Sequence, residues 1–151
     1  MVGRFSFGKM GRIVAIDYGS KRCGLAATDP ERIIASGLAT VETPRLMDYL
    51  RNYCSKETVD TFLVGEPRHM DNTPSEVASL IEPFVEGLRS AFPNIGIARI
   101  DERFTSKLAF QAMIDGGLGM KRRRDKALID TVSATIMLQD YMRQLELTSN
   151  R

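Results

Sequence analysis

The chain has 151 residues, 43% hydrophobic and 26% charged, with a formal net charge of +2. That is the composition of one ordinary globular domain, long enough to bury a core without disulfide staples, and its bulk charge implies no polyanionic partner. The single histidine, His69, excludes a histidine-rich metal centre, and the absence of any long apolar run excludes a membrane span.

The two cysteines, Cys23 and Cys54, fit no metal spacing and read as buried reduced thiols. With no apolar core of signal-peptide type at the N-terminus, a cytoplasmic protein is expected. Residues 1–10 are basic, glycine-rich and without period, so they read as a flexible tail. Residues 11–145 read as a single domain, and 146–151 as a frayed end.

Arg12–Asp17 is the first expected strand. Its unalternating run Ile13–Val14–Ala15–Ile16 suits a strand buried on both faces, and it delivers Asp17 rigidly at its end. Tyr18–Arg22 is a tight connection, and Gly19 there lets another group approach the backbone. Cys23–Thr28 is a second strand of small residues, so something packs closely over it. After a turn at Asp29–Arg32, Ile33–Val41 is a third strand, which makes an antiparallel meander.

Thr43 and Pro44 open a helix as N-cap and first helical residue, with Leu46, Tyr49, Leu50 and Tyr53 as its apolar stripe. Phe62–Gly65 is a short buried strand parallel to the first. Thr73–Pro74–Ser75–Glu76 is a capping box. It leads a helix with the stripe Val77, Leu80, Ile81, Phe84 and Leu88, and Pro83 predicts a kink or break within it.

Ile95–Ile100 is a fifth strand, followed by a helix capped at Thr105 or Ser106 and ending near Asp115. Glycines at 116, 117 and 119 break the pattern. The last helix spans about Asp125–Leu145, with Ile129, Val132 and Ile136 on one side. Phe110, Met113, Met137 and Tyr141 read as core packing. The sum is an α/β fold: a five-stranded mixed sheet, three antiparallel strands and then parallel helix–strand units, flanked by helices.

Parallel strands then end on the edge that carries Asp17, where ligands sit in open α/β sheets. Asp17, the Asp101–Glu102 pair and Asp130 can converge there. Clustered carboxylates without histidine suit a hard cation, Mg²⁺ or Mn²⁺, and such ions support phosphodiester cleavage. Each acid taken alone also has a plain structural reading, as a cap, an ion pair or an exposed helix residue. Glu66 is a further possible ligand on the same edge and Arg68 a phosphate contact, whereas His69 needs no role.

The run Lys121–Arg122–Arg123–Arg124–Asp125–Lys126 precedes a helix N-terminus, where cations are unfavourable unless phosphate is the neighbour. A solvated surface loop is the plain alternative. Lys21, Arg22 and Arg103 complete the candidate nucleic-acid contacts.

The blocks at 16–26 (Ile-Asp-Tyr-Gly-Ser-Lys-Arg-Cys-Gly-Leu-Ala), 64–67 (Val-Gly-Glu-Pro), 70–72 (Met-Asp-Asn), 101–106 (Asp-Glu-Arg-Phe-Thr-Ser) and 126–134 (Lys-Ala-Leu-Ile-Asp-Thr-Val-Ser-Ala) resemble the YqgF family. Its members are bacterial RNase H-like proteins described as Holliday junction resolvases and as pre-16S rRNA processing nucleases. The resemblance covers roughly residues 11–142 in ordered blocks, which is more specific than a lone motif. It implies an RNase H-like fold and a metal-dependent nuclease acting at the 5′ end of 16S rRNA. It also implies Asp17, Glu102 and Asp130 as catalytic and metal-binding acids, with Asp101 and Glu66 as alternatives for the second. Glu66 is a departure, since leucine is common at that place in the family pattern.

The implied partner is structured RNA (pre-16S rRNA) or branched DNA, with the protein a monomer or a homodimer. The rival enzyme reading is a junction resolvase, which would act as a two-fold dimer. A sugar-kinase or actin-like phosphate loop at Asp17–Ser20 is disfavoured because those folds need two such domains. A non-catalytic RNA-binding module is disfavoured because acids repel phosphate.

Overall fold

The apolar run after Arg12 forms the centre of the sheet. The computed structural model describes residues 11–66, 78–102, 105–107, 109, 110, 113 and 126–149. Strand β1 is Arg12–Asp17, β2 Arg22–Thr28 and β3 Ala35–Glu42. A 3₁₀ turn at Thr43–Arg45 leads into helix α1, Leu46–Lys56. Strand β4 (Val59–Glu66), helix α2 (Ala78–Ala91), strand β5 (Gly96–Asp101) and helix α3 (Lys126–Ser149) follow.

The five strands lie in the order β3-β2-β1-β4-β5. β1–β2 and β2–β3 pair antiparallel, and β1–β4 and β4–β5 pair parallel. This is the mixed sheet expected of an RNase H-like chain. Among the described residues, no helix is long and apolar enough to cross a bilayer.

Side chains alternate across the sheet, so each strand feeds two cores. On one face Val14, Ile16, Leu25, Phe62 and Val64 pack with Leu46 and Leu50 of α1 and with Ile81, Val85 and Leu88 of α2. On the other, Ile13, Ala15, Ala26, Leu63 and Ile100 pack with Ala134, Met137 and Leu138 of α3. The second face is floored by small residues. A Cβ on Gly24 would overlap the backbone carbonyl of Asp130, so α3 rests directly on β2 there. The small residues of β2 do mark a close overlying element.

Several local expectations change. Ile33 and Ile34 are exposed and lie before β3, because Asp29 Oδ1 accepts both of their N–H groups and holds them in a turn. Arg32 takes the left-handed conformation there (φ 61°). Thr43 is not a helix cap. Its hydroxyl donates to the Gly19 carbonyl at 2.7 Å and its N–H to the Lys21 carbonyl at 2.9 Å, tying the start of α1 to the β1–β2 turn.

Helix α2 is continuous from Ala78 to Ala91 with Pro83 inside it, and Leu80 faces solvent while Val85 is buried. Met113 is exposed. The buried face of α3 is Ser133, Ala134, Met137, Leu138 and Asp140, with Ile129, Val132 and Ile136 only half-buried. Ser133 and Ala134 let α3 lie close to the sheet, and the large apolar side chains of its inner face are Met137 and Leu138, not Ile129, Val132 and Ile136. The helix also runs to Ser149, beyond the expected end at Leu145. Cys23 and Cys54 are both free, the first buried and the second half-buried. The residue 73–76 capping box lies outside the described residues.

Candidate active site

Alternation along the strands decides which acids meet. Asp17 continues the Ile13–Ala15 face of β1, and Glu102, just past β5, continues the Ile100 face. Both therefore point to the α3 side. Glu66 continues the opposite face of β4, and Asp101 lies opposite Glu66 in the β4–β5 register. Glu66 faces Arg99 at 3.9 Å, and Arg99 pairs more closely with Glu82 of α2 at 3.1 Å. The two alternatives for the second acid thus belong to the α2 side.

A cation joins the two acids that meet. Lys107 Nζ donates to Asp17 Oδ1 at 2.8 Å and to Glu102 Oε1 at 2.6 Å. All three side chains are mostly buried: 19% exposed for Lys107, 14% for Asp17 and 12% for Glu102. Gly65 on β4 makes room for this arrangement, since any Cβ there would overlap the Glu102 carboxylate.

Lys107 was not among the expected site residues. It sits on a helical turn in which Phe110 N–H donates to the Ser106 carbonyl at 3.0 Å. Thr105 caps that turn: its hydroxyl accepts the Lys107 N–H at 3.3 Å and donates to the Glu102 carbonyl at 3.1 Å. Asp140 of α3 accepts the Ser106 N–H at 2.5 Å and the Ser106 hydroxyl at 3.2 Å, which anchors the turn to the core. No spacing within its own segment signals it: five residues is not a same-face helical spacing, and its other partner, Asp17, is 90 residues away.

Asp130 is held apart from this pair. Arg22 Nε donates to Asp130 Oδ2 at 2.6 Å. Asp130 lies over Gly24, which pairs with Asp17 in the β1–β2 register, so it overlooks the same sheet edge. It is near enough to act on Asp17 electrostatically. Three acids and two cations thus share one end of the sheet. Among the described residues, no three metal-ligating side chains already converge on one point. Two do converge, on the position held by the Lys107 ammonium.

The charges follow from burial. Desolvation pushes the Asp17 carboxyl above its ordinary range; Lys107 pulls it back and Asp130 pushes it further up. Desolvation likewise raises Glu102, with Lys107 opposing and Asp17 and Asp101 adding to the rise. Burial works against the charge on Lys107, yet Asp17 and Glu102 more than offset it and lift its pKa above the usual lysine value. Lys107 therefore stays an ammonium. Cys23 beneath the turn is a thiol whose pKa burial raises further, so it is no nucleophile.

The expected nucleic-acid contacts divide. Arg22 is in the site, and Lys21 is exposed on the adjoining turn. Lys126 opens α3, four positions before Asp130. Arg68, His69, Arg103, Lys121, Arg122, Arg123 and Arg124 lie outside the described residues.

Two carboxylates that already accept from one compact cation are a fair donor set for Mg²⁺ or Mn²⁺, which need only one or two carboxylates beside water and substrate oxygens. Asp130 is a third donor if Arg22 lets it go.

Residues 11–144 match a family model described as "RuvX: Holliday junction resolvase". A Flavobacterium johnsoniae protein named "Putative pre-16S rRNA nuclease" is 55% identical over 133 residues, covering 88% of this chain and 96% of its own. A protein of the same name from Porphyromonas gingivalis is 53% identical, with 88% and 96% covered. The crystal structure of the fowlpox virus Holliday junction resolvase aligns with a TM-score of 0.45 at 14% identity, covering 88% of this chain and 99% of that one.

Proposed function

Since the chain belongs to the RuvX family of Holliday junction resolvases, we propose that it is a divalent-metal-dependent nuclease that processes the 5′ end of precursor 16S rRNA in the cytoplasm. A junction resolvase and an rRNA nuclease both hydrolyse phosphodiester bonds, so the family and its relatives share the reaction class. The relatives' names favour the RNA substrate; the family description favours branched DNA as the second reading.

One observation carries the chemistry: Asp17 and Glu102 accept from a single cation at 2.8 and 2.6 Å, at the edge where the parallel strands end. In this reading Asp17, Glu102 and Asp130 hold Mg²⁺ or Mn²⁺. When bound, the ion supplies an activated water and charge stabilisation at the leaving oxygen. The end of β1 fixes Asp17 and the end of β5 places Glu102 one residue beyond it, so the two carboxylates already face one point. Arg22 exchanges Asp130 for a phosphate oxygen, for which its planar fork is suited. Lys21, Lys126, Arg68, Arg103 and the basic run at 121–124 bring the polyanion to this edge.

The test is cleavage of pre-16S RNA, a four-way DNA junction and unstructured single-stranded RNA by the purified chain with Mg²⁺ or Mn²⁺. Metal-dependent cutting of the precursor RNA, lost in Asp17→Asn, is expected. Preferential cutting of the junction would move the protein to the second reading, and cutting that survives Asp17→Asn would remove the site.

A further inference from the structure

Lys107 places an ammonium where the carboxylates of Asp17 and Glu102 converge. We infer that Lys107 is an internal cation occupying the metal position in the metal-free protein, and that a divalent ion binds by displacing it. The inference rests on the metal-site reading above and concerns what this lysine does to that site.

Three observations carry it. First, one nitrogen satisfies an oxygen of each acid, at 2.8 and 2.6 Å, so a cation bridging Asp17 Oδ1 and Glu102 Oε1 competes for the same lone pairs. Second, the lysine is held in place rather than draped over the surface. Its side chain is 19% exposed, and its helical turn is fixed by Thr105 to Glu102 and by Ser106 to Asp140. Third, Asp17 and Glu102 are themselves buried side by side, an arrangement that repels itself without a counter-charge. A lysine is a suitable temporary occupant. Its ammonium is compact, and its four-carbon stem can swing the charge away without disturbing the strands.

The consequence is a tax on metal affinity. The site is competent only when Lys107 has left, so apparent affinity is lowered by that fraction. The displaced ammonium then lies a side-chain length from the ion, where phosphate of a bound nucleic acid is its natural partner. Polyanion and metal should therefore favour each other's binding.

The test uses the full chain and Mn²⁺ followed by isothermal titration calorimetry, with wild type, Lys107→Met, Lys107→Gln and Lys107→Arg. Lys107→Met and Lys107→Gln should bind Mn²⁺ about ten-fold tighter or more, and show a larger Mn²⁺-induced rise in Tm from a lower metal-free Tm. Lys107→Arg, which keeps the charge, should gain nothing. The wild-type chain gives an independent readout that needs no variant. Acetylation of Lys107 by an amine-directed ester, followed by mass spectrometry, should speed up several-fold on saturation with Mg²⁺. Unchanged or weaker Mn²⁺ affinity in a folded Lys107→Met or Lys107→Gln overturns the inference while leaving the nuclease reading intact. So does labelling that ignores Mg²⁺. Failure of every form, wild type included, to bind Mn²⁺ overturns the metal site and the inference together.

Discussion

The Glu102 carboxylate occupies the space where Gly65 lacks a side chain: a Cβ on Gly65 would overlap Glu102 Oε2 and crowd Cδ and Cγ. The sheet therefore admits the second acid only because the neighbouring strand has a glycine at that point. Gly65→Ala should leave the fold nearly intact, because Gly65 has no positive φ and the crowded atoms are the mobile end of a side chain. Its stability in urea should stay within about 1 kcal/mol of wild type. Cleavage should fall by about 100-fold, the usual cost of moving a reacting group by roughly 1 Å. Equal cleavage by the alanine variant would mean that Glu102 does its work from elsewhere.

The division of acids between faces gives a second prediction. Asp17→Asn, Glu102→Gln and Asp130→Asn should each abolish metal-dependent cleavage, whereas Glu66→Gln and Asp101→Asn should keep it within a few-fold. Glu66 faces Arg99 and the α2 side, away from Lys107. Single-turnover rates on one RNA substrate check the set. A dead Glu66→Gln with a live Glu102→Gln would reverse the assignment of the second acid.

A third prediction concerns how α3 is seated. Gly24→Ala would drive a methyl into the Asp130 backbone carbonyl, which cannot move without the helix. Overpacking of this kind costs about 1–3 kcal/mol. Gly87 lies in α2 with nothing near its missing Cβ, so Gly87→Ala should instead stabilise by about 0.5–1 kcal/mol. Thermal and urea denaturation of the two variants should shift in opposite directions. Loss of cleavage should accompany Gly24→Ala alone, because it carries Asp130 away from the sheet edge.

These glycines show what the sequence makes legible and what it does not. The sheet was readable because its signals are local: an unalternating run at Ile13–Ile16, small residues in Cys23–Thr28, and a helix between two apolar strands. Asp17 and Asp130 were readable as acids ending or opening such elements. The choice of Glu102 over Asp101 depends on where β5 ends, and one residue reverses the face. Lys107 was invisible for a different reason. Its role is set by contacts to β1 and β5 at once, and no spacing in one segment encodes a bridge between two strands. The same holds for Thr43, whose hydroxyl is committed to the Gly19 carbonyl instead of the helix it precedes. The inner face of α3 misled because Ala134, Met137 and Leu138 make the contact with the sheet, about one residue around the helix from the Ile129, Val132 and Ile136 stripe.

Asp140 carries the last prediction. It is buried, and its carboxylate accepts the Ser106 N–H and hydroxyl and pairs with Arg143 at 2.5 Å. It touches none of Asp17, Glu102 or Lys107 by any hydrogen bond described, yet it anchors the turn that presents Lys107. It is a positioning residue. Asp140→Ala removes the acceptor of the Ser106 N–H and hydroxyl; Ser106 itself is exposed, so water takes over part of the bonding and the cost is about 1 kcal/mol. Asp140→Asn retains one acceptor oxygen and should recover part of that loss. Arg143→Ala should cost less than about 1 kcal/mol, since the arginine is 61% exposed and solvent screens the pair. Stability alone would not separate anchoring from ordinary packing, so the informative readout is Lys107 itself. In metal-free Asp140→Ala its amine should acetylate several-fold faster than in wild type, with Asp140→Asn between the two. Faster acetylation would show that the buried carboxylate of α3 reaches the site through the turn it caps. Labelling as slow as wild type in a destabilised Asp140→Ala would confine Asp140 to the core.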